Sequence, residues 1–242
     1  MVEKTEVQIS DAALKSVAIH SALAGLCPLI PVPFVDDLII ERIHRRLNRE
    51  LFELNGLTLS DGNTKTLAES PSKLMSAALK KIVFWPIKKL ITKVVYFLAI
   101  KSCADVAASI FHEGWLLARA LEAGYVPQEL LQRGDPPTIK RLRAVIIRAR
   151  EAVDMSPTQA VMRSAFGVGR EVFGEVLSAL RKTLLTSKSE GERLSAAKED
   201  VGGITDRIVD EVRRHWSHGA ALDEALRASI QLGESIFDPK SR

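Results

Sequence analysis

Residues 16–35 read SVAIHSALAGLCPLIPVPFV, a run of twenty positions without a formal charge. Apolar residues recur at a helical spacing that predicts one face of a helix: Leu14, Val17, Ala18, Ala22 and Leu26. Pro28, Pro31 and Pro33 should end that helix, because each proline removes a backbone donor and restricts the residue before it. The stretch therefore predicts a helix that ends in a proline turn.

A second helix should follow the proline turn. It is predicted to begin at Asp36 or Asp37 and to end near Asn55-Gly56, because glycine is typical of the position just beyond a helix. Residues 57–70 are polar and predict a loop, whereas helical periodicity returns over residues 71–124 and in the C-terminal half. Since no segment alternates as a strand does, we expect an all-α fold, an irregular bundle of helical hairpins without a β-sheet.

The chain has 242 residues, of which 46% are hydrophobic, so it is long enough to bury a substantial core. We expect an N-terminal helical domain over residues 1–124 and a C-terminal helical region over residues 125–242. The second region either stands apart or packs on the first as one domain. Within it, Ser156-Pro157 predicts the start of a long helix that reaches about Leu185.

Cysteine usage favours an intracellular protein. Cys27 and Cys103 are the only cysteines, and their neighbours are apolar or small, which is typical of buried free thiols rather than of a disulfide framework. Acidic residues precede the first apolar run and His20 interrupts it, so the pattern does not match a signal peptide. We expect a cytoplasmic protein, and the inner face of the cell membrane as its place if it binds a membrane.

Two interpretations of the apolar run remain open. Its length would suffice for a membrane crossing, since about 20 apolar residues span the hydrocarbon layer as a helix. The prolines argue against this, because a spanning helix must satisfy its backbone hydrogen bonds internally. The run is therefore either a buried hairpin of the bundle or a turn inserted into a membrane interface. In the second case the inserted turn consists of Pro28, Pro31, Pro33 and Phe34.

The motif PVPFVD at residues 31–36 lies between an Ala-rich apolar helix and a long helix that ends at Asn55-Gly56. In this pattern the chain resembles the YcjF-type family of bacterial proteins, mainly over residues 16–60 and more loosely over residues 75–125. The resemblance implies a helical, membrane-associated domain and a GTPase as partner. The apolar segments here are shorter than those of the family, so the resemblance does not extend to a membrane crossing.

A second feature is the basic-aromatic segment, residues 70–104, which holds seven lysines and no acidic residue. Four aromatic residues are interleaved with these lysines. Aromatic rings favour the headgroup layer of a membrane, and each lysine near an anionic leaflet contributes about 1 kcal/mol. The alternative is a core helix with a solvated lysine edge. The residues predicted to contact lipid are Lys80, Lys81, Trp85, Lys88, Lys89, Lys93, Phe97 and Lys101.

The second helix carries four arginines at i, i+3, i+4 and i+7: Arg42, Arg45, Arg46 and Arg49. Guanidinium groups match phosphate bidentately, so this cluster is a candidate site for lipid headgroups or nucleic acid. Three of the arginines have an acidic residue four positions away, which favours the alternative of a solvated, salt-bridged face. We expect no nucleic-acid partner, because no recognised binding motif accompanies the charge.

Patterns that would indicate catalysis are scarce. His112-Glu113 lacks a second histidine at the spacing of zinc proteases, and no glycine loop is followed by a Walker lysine. His215 and His218 are close in sequence, with Asp210 or Glu211 as the best third ligand, but a surface helix end explains them more simply than a metal site. We therefore predict no catalytic residues, no metal and no cofactor.

These patterns lead to one functional hypothesis and one rival. The hypothesis is a non-enzymatic peripheral membrane or adaptor protein that contacts anionic lipid through the basic-aromatic segment and serves a GTPase partner. The rival is a helical scaffold or interaction protein without membrane contact, in which the apolar hairpin is part of the core.

Overall fold

The computed structural model describes residues 8–29, 36–68, 93–134, 136–167, 178, 196–215 and 218–232. Across these residues the chain forms nine α-helices and no strand, which confirms the predicted all-α fold. The helices are α1 (Asp11–Leu26), α2 (Asp36–Leu54), α3 (Asp61–Ala68), α4 (Lys93–Glu122), α5 (Gln128–Arg133), α6 (Pro136–Glu151), α7 (Ser156–Phe166), α8 (Gly202–His215) and α9 (Gly219–Gln231). A 3₁₀ turn, Cys27–Leu29, follows α1.

Helix α1 lies in the interior of the bundle. Twelve of its sixteen residues are buried, because α2, α4 and α8 pack around it. Its many small residues permit this close packing, and such a helix is apolar on nearly all sides rather than amphipathic. Residues 16–27 of the apolar run are thus core, and Pro28 is half-buried. Pro31, Pro33 and Phe34 lie outside the described residues.

Helices α1 and α4 run antiparallel, as contacts along their length establish. At one end, the backbone N–H of Ser10 donates to a carboxylate oxygen of Glu122 at 2.8 Å, and the Ser10 hydroxyl donates to the other oxygen at 2.6 Å. At the opposite end, Gly25 lies so close to α4 that an added Cβ would be 2.8 Å from the backbone oxygen of Cys103. The same Cβ would lie 2.7 Å from the ring of Phe166 at the end of α7. We call this second end of the bundle the Gly25 end.

Helix α2 begins and ends where the sequence predicts. Its last turn is followed by Gly56, whose φ of +69° is the left-handed conformation that glycine adopts without strain.

The predicted loop over residues 57–70 is wrong, because α3 forms within it. Ser60 begins this helix: its hydroxyl accepts from the backbone N–H of Asn63, and its carbonyl accepts from the Thr64 hydroxyl at 2.6 Å. The Asn63 side chain also donates to the carbonyl of Gly134, and Leu67 is buried. Tertiary contacts with α2 and α6 thus override the low helix propensity of this polar segment.

The long helix predicted from Ser156 to about Leu185 is also wrong in length, because α7 ends at Phe166. Gly167 leaves the helical conformation, while Phe166 is buried. At the start of α7, the Asp154 carboxylate accepts hydrogen bonds from the backbone N–H and the hydroxyl of Ser156.

Buried apolar residues from α1 to α9 form one continuous cluster. The predicted domain boundary at residue 124 stays a prediction, although this cluster draws residues from both sides of it. Cys27 and Cys103 are both buried and neither forms a disulfide, as the sequence predicts, and burial raises the pKa of the Cys103 thiol.

Candidate functional site

The antiparallel packing of α1 and α4 brings two features of the sequence to one end of the molecule. The 3₁₀ turn after α1 ends at Leu29, just before the PVPFVD motif. Helix α4 begins at Lys93, inside the basic-aromatic segment. Since an added Cβ at Gly25 would meet the backbone oxygen of Cys103, the 3₁₀ turn and the described part of the basic-aromatic segment, residues 93–104, lie toward the Gly25 end.

Helix α4 presents an apolar and a cationic side chain to solvent at this end. Leu98 is 48% exposed, and it is one of three exposed large hydrophobic residues in the described part of the chain. Lys101 is exposed one helical turn further on, whereas Ile100 and Cys103 are buried on the opposite side of the helix. Leu98 and Lys101 thus share the exposed side of α4.

Asp105 is the first acidic residue after the basic-aromatic segment and lies half-buried on α4. Burial raises the pKa of Asp105, while the charges of Lys101 and Arg163 act in the opposite direction. At this end of the bundle, two cationic side chains, Lys101 and Arg163, thus act on the partly desolvated Asp105 carboxylate.

The other residues predicted to contact lipid cannot be placed in the same way. Lys80, Lys81, Trp85, Lys88 and Lys89 lie outside the described residues. The backbones of Lys93 and Phe97 belong to α4, but their side chains lie outside the described part. None of the described helices combines the length and the apolar composition that a membrane crossing requires.

Two arginines of α2 form ion pairs, and one of these pairs has a partner that the sequence does not suggest. Arg45 pairs with Glu41, as predicted from their i,i+4 spacing. Arg49 instead pairs with Asp61 at the start of α3. Arg42 and Arg46 are exposed on the same helix. Phosphate binding by this cluster stays a prediction.

Acidic residue Glu50, four positions beyond Arg46, pairs with Lys198 at 2.8 Å. The same carboxylate oxygen lies 3.9 Å from Nε2 of His20, which is fully buried on α1. Burial and the charge of Lys198 lower the pKa of His20 to about 4, so the ring is neutral at pH 7. This contact connects the C-terminal half of the chain to α1 and α2.

A buried charged cluster, which the sequence reasoning missed, lies where α2, α4 and α6 meet. Glu113 on α4 is 4% exposed, and one of its oxygens accepts from Arg143 of α6 at 2.5 Å. The other oxygen accepts from Arg150, one heptad further along α6. Nε2 of His44 lies 3.6 Å from the carboxylate. One carboxylate thus holds together three helices.

The protonation states in this cluster follow from burial and charge. Burial alone would raise the pKa of Glu113, but the surrounding positive groups outweigh it and lower that pKa. Burial lowers the pKa of His44 to about 4, with the two arginine charges acting in the same direction. At pH 7 the cluster therefore contains an ionised carboxylate, two guanidinium groups and a neutral imidazole. Such an arrangement fixes helix positions.

A second polar contact lies beside this cluster. His112 is fully buried on α4, and its Nε2 meets the hydroxyl of Thr158 on α7. Its ring stacks on the ring of His218, the residue just before α9, with 5.6 Å between the ring centroids. His218 is thus placed against His112, and the side chain of His215 lies outside the described part. Among the described residues, no three His, Cys, Asp or Glu side chains are grouped to hold a metal ion.

One signal in the sequence could have revealed the charged cluster. Arg143 lies four positions after Ile139 and three before Ile146, both of which belong to the apolar face of α6. Arg150, seven residues or about two helical turns later, lies on the same face of α6. A charged residue on an apolar face indicates a buried partner, and Glu113, inside an apolar helix, is such a partner.

No protein-family model matches this chain, and no curated protein or solved structure is detectably similar to it. The resemblance of residues 16–60 to the YcjF-type family stays an expectation.

Proposed function

We propose that this chain is a non-enzymatic peripheral membrane or adaptor protein, which binds anionic lipid through the basic-aromatic segment at the Gly25 end of the bundle. The observation that carries the proposal is the exposure of Leu98 and Lys101 on α4, where that segment joins the bundle. Lysine ammonium groups attract an anionic leaflet, and leucine and aromatic side chains favour its boundary with the acyl chains.

The burial of α1 limits which residues can contact lipid. Residues 16–27 fill the core, so lipid contact depends on the basic-aromatic segment and on the residues that follow the 3₁₀ turn. The same burial supports the rival function, a helical scaffold without membrane contact, because it accounts for the apolar run without any lipid.

Sedimentation with lipid vesicles separates the two functions. The protein is mixed with vesicles of phosphatidylcholine alone or with added phosphatidylserine, at low and at high salt. We expect pelleting with the anionic vesicles only, weakened by salt because charges near the surface are screened. Changing Lys88, Lys89 and Lys93 together to Gln should lower the partition coefficient about 100-fold, at about 1 kcal/mol per lysine.

A matched control removes the same charge elsewhere. Lys15, Lys65 and Lys140 are exposed on α1, α3 and α6, so their joint change to Gln alters the net charge equally. This control should pellet almost as the unchanged protein does. Equal loss in both triple variants would contradict a localised contact, and no pelleting of the unchanged protein would favour the scaffold.

We also propose that the chain binds a GTPase. This part of the proposal rests only on the resemblance to the YcjF-type family. Recovery of a nucleotide-binding protein in a pull-down from a bacterial lysate, dependent on added GTP, would support it. Recovery of none would contradict it.

A further inference from the structure

Helix α9 is held to the bundle by polar contacts at its N-terminal half. Asp223, which is 3% exposed, accepts from Nε of Arg119 at 2.6 Å and from the Tyr125 hydroxyl at 3.0 Å. One turn earlier, His218 stacks on His112 with an angle of 28° between the ring planes. The stacked pair is therefore the first contact that α9 makes with α4.

The surroundings of the pair determine how it responds to a proton. Asp154, in the turn between α6 and α7, accepts a hydrogen bond from His218 through its backbone carbonyl, and its carboxylate acts on both rings. On the side of α4 and α6, the charged neighbours are Glu113 and Arg150, which already pair with each other. Two neutral imidazole rings can stack at this distance, whereas two imidazolium ions repel each other.

We propose that the His112–His218 pair is a proton-sensitive contact, whose protonation separates the N-terminal end of α9 from α4 and α7. The neutral pair holds α9 in place. Adding a proton to each ring introduces two like charges into the contact, which the Asp154 carboxylate and the arginine-paired Glu113 offset only in part.

The direction of the response follows from the pKa values. Burial, then the charges of His218 and Arg150, lowers the pKa of His112 to about 4, although Glu113 and Asp154 oppose them. Burial also lowers the pKa of His218. An exposed histidine titrates near pH 6.5. Since the opened state binds protons first, docking of α9 is fully favoured above pH 6.5 and is lost as the pH falls toward 4.

Hydrogen–deuterium exchange of the full chain between pH 7.5 and 4.5 tests this proposal. After correction for the intrinsic pH dependence of exchange, protection of the α9 amides should fall by about tenfold per pH unit below 6.5 for each proton taken up. Amides of α1, in the centre of the bundle, should lose less protection. Protection of α9 that does not depend on pH would overturn the proposal.

Two variants test whether the pH-dependent release of α9 arises at the His112–His218 pair. His218→Phe keeps an aromatic ring but cannot be protonated, so α9 should stay protected at low pH. Asp154→Asn retains a side chain that caps α7 but removes the charge that stabilises protonated rings in the docked state, so release should be complete at a higher pH. As a control, His20→Gln removes a buried histidine elsewhere and should leave the release of α9 unchanged. If His218→Phe and Asp154→Asn both behave as the unchanged protein does, the proposal is wrong.

Discussion

At the scale of single residues, the buried carboxylate of Glu113 connects α4 to α2 and α6 through His44, Arg143 and Arg150. A buried carboxylate between two guanidinium groups adds little net stability by itself, because all three charges lose solvation. Removing one partner strongly destabilises the protein, because the remaining charges stay buried without an opposite charge. Glu113 therefore stabilises the relative positions of α2, α4 and α6 by making any other arrangement costly.

We expect Glu113→Gln to lower the free energy of unfolding by about 3–5 kcal/mol at pH 7, because Arg143 and Arg150 would lose their carboxylate. Urea denaturation followed by circular dichroism measures the change. Glu151→Gln is the control, since Glu151 is exposed at the end of α6, and it should change the free energy by less than about 0.5 kcal/mol. Similar values for both variants would show that the buried cluster is not required.

At the scale of helices, the close packing of α1 on α4 depends on Gly25. The two nearest atoms to an added Cβ are the Phe166 ring and the backbone oxygen of Cys103, and the backbone oxygen cannot move aside. At Gly114, by contrast, the nearest atoms are methyl groups of Leu47 and Val17, which can rotate away.

Alanine substitutions test this difference. Gly25→Ala should lower the free energy of unfolding by about 1–3 kcal/mol through overpacking, and Gly114→Ala by less. Gly62→Ala should be neutral or stabilising by up to about 1 kcal/mol, because an added Cβ there meets no atom and α3 gains helix propensity. Thermal denaturation of the three variants gives the order. If Gly25→Ala is as stable as Gly62→Ala, the packing of α1 on α4 is looser than described.

The helices also show which parts of the fold could be predicted from the sequence. Periodicity and prolines suffice for α1 and α2, whose bounds depend on local signals such as the glycine after α2. Helix α3 could not be predicted, because its polar residues form a helix only through contacts with α2 and α6. The stack of His112 on His218 likewise depends on how helices distant in sequence pack. Ion pairs such as Arg49–Asp61 replace the expected i,i+4 partner for the same reason.

At the scale of the whole molecule, a net charge of only +4 conceals an uneven distribution of lysines. The described part of the basic-aromatic segment, residues 93–104, lies toward the Gly25 end, where Leu98 is exposed. Leu232, which is 71% exposed, lies toward the other end. This follows because α9 runs parallel to α4, with His218 beside His112 and Asp223 beside Arg119.

Leu98 and Leu232, two exposed leucines toward opposite ends of the bundle, provide the most direct test of membrane contact at the Gly25 end. Leu98→Cys and Leu232→Cys are each labelled with an environment-sensitive fluorophore, and the native Cys27 and Cys103 are buried. On addition of phosphatidylserine-containing vesicles, the label at residue 98 should increase in fluorescence and shift to the blue, while the label at residue 232 should not change. A change at residue 232 alone, or at neither position, would contradict the proposed membrane contact.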